Sequence, residues 1–431
     1  MEPLSEDRLI YDWNHKDGFS FRHRPGLELD DETLRDGLQS PSITDPPVEK
    51  KLEILHLMER LGIQGADLGL PGAGPRAFDD VLTMAREIER HRMRIRPNCA
   101  VRTVKGDVQA LLEVSQQAGY PIEAAMFIGS SPIRLYAEGW TLDHVLKLTE
   151  EAVTFAVQGG IPVMYVTEDT TRSDADAIRK LFTTAIECGA RRVCVADTVG
   201  YATPVGVTYL IRFVREVVDA TGEEVKVDFH GHNDRGCAIP NSMAAIAAGA
   251  DRIHATALGI GERVGNTSMD HLLVNLRLEG IIDTDLTCLP EYCEKVSGAV
   301  GVPVPVNYPV IGRDAYRTST GVHAAAIIKA HNRGAEWLAD RVYAGTPAGM
   351  VGRHQEIEIG FMSGVSNVVY WLTKHGIDPE KDLVDEILRF AKKHTHVLSD
   401  DDVMEIVKFH RARSHGFPTN TVEEWRKEIR S

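Results

Sequence analysis

The sequence predicts an α/β chain folded as a (β/α)8 TIM barrel with a mainly helical C-terminal lid region. Three observations carry this reading. Eight short β-rich runs recur as far as Ala257, helix-like patterns lie between most of them, and the alternation stops near residue 280. Alternating strand and helix patterns are the mark of a parallel sheet covered by helices. Eight units at this spacing fit a closed barrel better than an open doubly wound sheet, although periodicity by itself does not establish closure.

The strands are expected at Leu27–Thr33, Gly65–Leu70, Ile95–Val101, Ile122–Ile128, Val163–Thr167, Arg192–Ala196, Val225–His230 and Arg252–Ala257. Between them, stretches such as Val48–Gly62 and Asp174–Gly189 repeat apolar residues every three or four positions. Several end on glycine, as at Gly62, Gly189 and Gly249, a residue that stops helices by taking left-handed backbone. The expected organisation is a barrel over 1–280 with a short N-terminal extension, then a linker and helical C-terminal part over 281–431. The Pro- and Val-rich run Gly301–Gly312 lies within that linker, and no separate regulatory domain is expected.

Composition bounds the function. Of 431 residues, 43% are hydrophobic and 26% charged, which suits a globular protein with a large core. Lys and Arg number 48 against 63 Asp and Glu, a net charge of −15 that argues against nucleic-acid and anionic-membrane partners. A locally basic site for an anionic small molecule stays open. The six cysteines show no CxxC pair or zinc-ribbon spacing and read as reduced, mostly buried thiols. No run is long enough to span a bilayer, and the N-terminus lacks signal-peptide order, so a cytoplasmic location is expected.

Chemistry in a barrel belongs where strands end and loops begin. Polar residues gather there: Arg35 and Asp36 after the first strand, Glu168 and Asp169 after the fifth, Asp197 and Thr198 after the sixth. The seventh gives HGHND, His230 to Asp234, and the eighth is followed by GIGERVGN, Gly259 to Asn266. Two residues apart on a strand, His230 and His232 share a face and reach one ion. Asp36 adds an oxygen ligand. Two imidazoles and a carboxylate suit Zn, Mn, Fe or Co with open positions, and Mg with water ligands. An isolated HxH is more often a pair of polar strand residues; the acids and Arg at the other strand ends turn the balance toward a metal. Arg35 is placed to stabilise an oxygen that gains negative charge, or else pairs structurally with its acidic neighbours. Glu168 is a carboxylate base or an orienting group, and Thr198 a donor to a substrate carboxylate. GIGERVGN is not the dinucleotide fingerprint; its glycines suit a tight turn, with or without a ligand against it.

The segments DETLRDGLQS (31–40), TEDTTRSD (167–174), ADTVGYATP (196–204), HGHNDRGCAI (230–239), ALGIGERVGN (257–266) and GVHAAAI (321–327), taken in order, resemble the DRE-TIM metallolyase superfamily. GIGERVGN and the downstream GVH resemble its Claisen-condensing branch of 2-isopropylmalate, homocitrate and citramalate synthases. The lyases carry a catalytic Cys in the corresponding loop, and no Cys lies between Cys237 and Cys288 here. The resemblance implies a divalent metal ion (Mg, Mn or Zn), acetyl-CoA as co-substrate and a 2-oxo acid, joined to a 2-alkylmalate with release of CoA. It implies Asp36, His230, His232 and Asn266 at the metal, Arg35 facing the keto oxygen, Glu168 in the proton network and Thr198 on the 2-oxo acid's carboxylate. It further implies His323 as a catalytic His assisted by Tyr343, in a homodimer whose active sites are completed by the partner's C-terminal region.

Departures bear on the substrate. Leu258-Gly259 replaces the Asn-Gly usual before IGER in isopropylmalate synthases, and it and GCAI lean toward homocitrate synthase. FMSG (Phe361–Gly364) stands where relatives have His-Ser-Gly. Asp67 and Arg134 occupy substrate-shaping positions; Arg134 either meets a second substrate carboxylate or faces solvent. Isopropylmalate synthase-like activity is the first expectation and homocitrate or citramalate synthase the alternative. A lyase or aldolase of the same superfamily and a non-catalytic binding protein stand further off.

Overall fold

The computed structural model describes residues 6–16 and 21–414. Its strands β1 (Glu28–Asp31), β2 (Gly65–Asp67), β3 (Arg96–Arg102), β4 (Glu123–Gly129), β5 (Val163–Glu168), β6 (Arg192–Asp197), β7 (Lys226–Gly231) and β8 (Arg252–Ala255) form a closed barrel in chain order. All neighbours are parallel, and β1 pairs with both β2 and β8, which settles closure against the open sheet. The fold is the predicted TIM barrel. The ends of β1 and β2 come earlier than expected because buried carboxylates bend the chain there. Asp31 Oδ1 accepts from Thr33 N at 2.9 Å, and Asp67 Oδ1 from Gly69 N at 3.1 Å.

The helices follow local rules. Val48–Arg60 buries Ile54, Leu55, Leu57 and Met58 on one face. Ala175–Glu187 begins where the Asp174 side chain accepts from Asp176 N and Ala177 N. Gly249, at φ +111, closes Ala238–Ala248, as its position predicts.

The base of the barrel interior departs from the usual branched apolar layers. Inward positions two apart supply Glu28 and Asp30 from β1, Glu123 from β4, Arg192 from β6, Asp228 from β7, and Arg252 and His254 from β8. Asp228 accepts from Arg192 Nη1 at 2.7 Å and from Arg252 Nε at 2.6 Å. Arg252 Nη2 reaches Glu123 Oε2 at 2.9 Å, and Arg192 Nη2 reaches Glu28 Oε2 at 3.0 Å. Burial of charge is tolerated here because opposite charges meet at hydrogen-bond distance.

The chain separates into two compact units. One is Asp12–Val304; the other holds the described residues up to Tyr11 and from Pro305 on. Helix Leu289–Val300 belongs with the barrel, because Tyr292 Oη donates to Asp31 and lies 3.2 Å from Thr33 Oγ1. In the second unit, helices Val365–Lys374, Lys381–Ala391 and Asp400–Ser414 enclose a core around Val368, Leu372, Ile387 and Ile406. Helices Gly321–His331 and Glu336–Arg341 close a smaller core with Ala324, Ile327 and Ile357. Among the described residues, no helix is long and apolar enough to cross a membrane.

Candidate active site and metal centre

At the C-terminal strand ends a cavity of about 270 Å³ opens within the barrel unit. Small or slender side chains on inward positions, Ala100, Ala125, Cys194 and Ala196, leave the space, while Arg35, Asp36, Glu168, Thr198, His230 and His232 line it. The sequence-predicted residues of the first, fifth, sixth and seventh strand ends are thus brought to one place.

The metal group is built by strand periodicity. His230 is the penultimate residue of β7 and His232 follows it, so both imidazoles point inward. Their Nε2 atoms lie 3.7 and 3.5 Å from the same oxygen, Asp36 Oδ2. Ligands each held about 2.0–2.2 Å from a zinc-like ion stand about 3–3.5 Å apart, so the three atoms frame an ion with little adjustment. Two further observations fit. His230 turns its other nitrogen, Nδ1, to Glu32 Oε2 at 2.7 Å, the carboxylate–imidazole arrangement that orients metal-binding histidines. Asn266 and His232 form an antiparallel bridge, and Asn266 Oδ1 is buried without a hydrogen-bond partner. That side chain already touches Asp36 Oδ2 through Nδ2 at 2.5 Å. Rotating the amide would offer Oδ1 to an ion in its place. Burial and the neighbouring His230 push His232 down to about 4, so it stays neutral, the form that ligates. Although burial opposes it, Arg35 holds the Asp36 carboxyl below its ordinary range.

Arg35 is fixed by three carboxylates. Nε donates to Asp67 Oδ2 at 2.7 Å, Nη1 to Asp36 Oδ1 at 2.8 Å and Nη2 to Glu32 Oε1 at 2.8 Å. A guanidinium carries five N–H groups, so each Nη has one N–H beyond these three bonds. Asp67, expected to shape the substrate, instead braces Arg35 from the end of β2. It does not line the cavity, and burial pushes its carboxyl up to about 7 against the pull of Arg35.

Across the cavity, burial raises Glu168 above the ordinary carboxylate range, a setting suited to proton transfer. Arg134 stands over it, with Nε 3.2 Å from Glu168 Oε1, and also pairs with Glu138. Its side chain is 40% exposed, so it sits at the rim. Thr198 Oγ1 accepts from Asp169 N at 2.8 Å, which leaves its hydroxyl proton to donate elsewhere. Asp169 itself adopts left-handed backbone, φ +62, held by Arg172 and Ser131.

The GIGERVGN loop folds around Asn266. A Cβ at Gly261 would stand 2.1 Å from Asn266 Oδ1, and one at Gly265 1.8 Å from the Gly259 carbonyl oxygen. Glycine is required at both by close approach. Arg263 ties the loop down, donating to Thr198 O at 2.7 Å and Asp234 Oδ1 at 2.8 Å. His323 and Tyr343 come together in the second unit, ring centroids 4.1 Å apart, both exposed.

Sequence reasoning passed over Glu32, His254 and Glu262, all of which line the cavity. Glu32 and His254 carry a signal: each lies two positions from another inward-facing residue, Asp30 and Arg252.

Comparison with known proteins agrees with this fold. A family model described as HMGL-like matches residues 27–293. The chain is 34% identical over 367 residues to the homocitrate synthase AksA of Methanopyrus kandleri, covering 84% of this chain and 86% of that one. It is 31% identical over 369 residues to the 2-isopropylmalate synthase of Sulfolobus acidocaldarius, covering 85% and 90%. Among solved structures, the HMG-CoA lyase of Bacillus subtilis superposes with a TM-score of 0.55 at 19% identity, over 66% of this chain and 96% of that one, a likeness of fold. With a family model spanning well over half its length and relatives above 30% identity over most of it, the chain belongs to the HMGL-like family of the DRE-TIM metallolyase superfamily.

Proposed function

We propose that this protein is a metal-dependent synthase that condenses acetyl-CoA with a 2-oxo acid, an acyltransferase of the 2-isopropylmalate synthase-like type. The observation that carries the proposal is the convergence of Asp36, His230 and His232 beside the free N–H groups of Arg35, at the mouth of a cavity sized for a small acid. The condensation makes a carbon–carbon bond between the acetyl methyl and the keto carbon; water then cleaves the thioester, releasing CoA and a 2-alkylmalate.

A divalent ion held by Asp36, His230 and His232, with Asn266 beside it, supplies Lewis-acid polarisation of the keto oxygen. The protein does the rest. Arg35 directs its remaining N–H groups at the oxygen that becomes an alkoxide, already positioned by Asp67 and Glu32. Thr198 donates its hydroxyl proton to the substrate carboxylate. Glu168 holds or moves a proton at its carboxylate, and His323 with Tyr343 serves the acetyl methyl in a homodimer, each pair acting at the partner subunit's site. The leucine-pathway substrate, 2-oxoisovalerate, is the first assignment.

Homocitrate synthase is the second reading, favoured by a specific feature. Arg134 places a cation at the rim beside Glu168, where the distal carboxylate of 2-oxoglutarate would find a partner. The test is release of free thiol from acetyl-CoA with 2-oxoisovalerate, 2-oxoglutarate, pyruvate, oxaloacetate or phenylpyruvate, each with and without metal. Metal-dependent release with one acid identifies the activity. No release with any of them defeats the proposal, and tight 2-oxo acid binding without turnover would point to a binding protein.

A further inference from the structure

Three more metal-ligating side chains converge on the outer surface of the barrel unit. His56 lies on helix Val48–Arg60, and Glu87 and His91 lie one turn apart on helix Pro75–His91. Nε2 of His56 stands 2.8 Å, and Nε2 of His91 3.1 Å, from the same oxygen, Glu87 Oε1. The two imidazoles meet edge to face with centroids 5.0 Å apart. Both helices end close to this point and lead into the first residues of β2 and β3. The cluster therefore sits at the opposite end of the barrel from the strand ends that carry the mouth residues.

We propose that His56, Glu87 and His91 form a second divalent-metal site, for an ion of the zinc class with water completing its coordination. Two imidazoles and one carboxylate are a sufficient protein ligand set for zinc and its neighbours. They are a poor one for magnesium or calcium, which want oxygen donors throughout. The ligands come from two helices, so the cluster is more than an i,i+4 pair within one. Without metal, both imidazoles crowd their Nε2 atoms onto a single carboxylate oxygen; an ion between them takes the place of those protons. The histidine side chains are 42% and 45% exposed, which gives the ion and its water a path, whereas Glu87 is 14% exposed. The cluster lies near the C-terminal ends of both helices, where the partial negative charge of the helix favours a cation. Bound there, the ion staples the first two barrel helices together and takes no part in the chemistry at the mouth.

The experiment is a zinc titration of the metal-stripped full chain against a chromophoric chelator, with thermal melts on the same samples. Wild type is expected to bind two equivalents. His56→Ala and His91→Ala should each bind one, lose the rise in Tm that the second equivalent brings, and match wild type in thiol release. Asp36→Ala should lose the other equivalent and keep the zinc-dependent rise in Tm. A single equivalent in wild type, two equivalents persisting in both histidine variants, or loss of both equivalents in Asp36→Ala would overturn the proposal. These counts stand apart from the condensation reading, which fails or holds on thiol release alone.

Discussion

Glu32 Oε2 stands 2.7 Å from His230 Nδ1, while Glu32 Oε1 accepts from Arg35 Nη2 at 2.8 Å and lies 3.0 Å from His254 Nδ1. One buried carboxylate thus orients both the His230 imidazole and the Arg35 guanidinium beside it. His254 continues the chain downward, with Nε2 3.0 Å from Asp228 Oδ2. The ionic base of the barrel and the mouth are therefore one connected network. The network holds His230 with Nε2 on the side of Asp36 Oδ2, since Nδ1 is committed to Glu32.

Glu32→Gln tests this. The amide keeps the size and one acceptor but cannot serve His230 and Arg35 both as an anion. Loss of such an outer partner typically weakens metal binding about 10–100-fold. The expected result is a drop of that order in affinity at the mouth site, measured by chelator competition, with turnover recovering in part at saturating metal. Unchanged affinity would mean that Glu32 is a space-filling group.

Arg35→Ala separates charge stabilisation from metal binding. Removing a preorganised donor to a developing oxyanion typically costs about 10²–10³ in kcat. Because Asp36 keeps Asn266 and the two imidazoles, metal content should change little by comparison. Metal analysis beside steady-state thiol release checks this, and parallel loss of both would contradict the role assigned to Arg35.

Arg134→Ala bears on the acid. If the rim cation meets a distal carboxylate, KM for 2-oxoglutarate should rise at least tenfold while kcat moves little, since uniform binding is what is lost. Kinetics with 2-oxoisovalerate should be nearly unaffected. An equal effect on both acids would assign Arg134 to orienting Glu168, its partner at 3.2 Å.

The residues legible in the sequence are those whose position follows from short-range rules. Eight β-rich runs announced the barrel, and the spacing of His230 and His232 placed both on one face. Asp36 followed because barrel chemistry lies at strand ends. What stayed hidden depends on which strands face one another across the interior. His254 and Glu32 are 222 positions apart, and a polar residue on every second position of a strand looks the same whether it faces water or a buried countercharge. Arg35 beside Asp36 in sequence gave no hint that Asp67, from another strand, would brace it. The Tyr292–Asp31 bond, which ties Leu289–Val300 to the barrel, spans 261 positions and has no local signal.

That same bond makes a pH-dependent prediction. Burial pushes the Asp31 carboxyl up to about 6 from an ordinary value of 3.8, against the hydrogen bonds from Thr33 and Tyr292 that favour the charged form. Between these two values the folded protein holds a proton that the unfolded chain has released. Stability from this group therefore falls as pH rises from about 4 to about 6, and is not regained above that. Asp31→Asn removes the titration while keeping an acceptor for Thr33 N and a polar contact for Tyr292. The variant should be more stable than wild type at pH 7, with the difference shrinking as pH falls toward 4. Denaturant unfolding of both proteins across that range checks it. A difference independent of pH would show that Asp31 is charged throughout, and that Tyr292 offsets its burial in full.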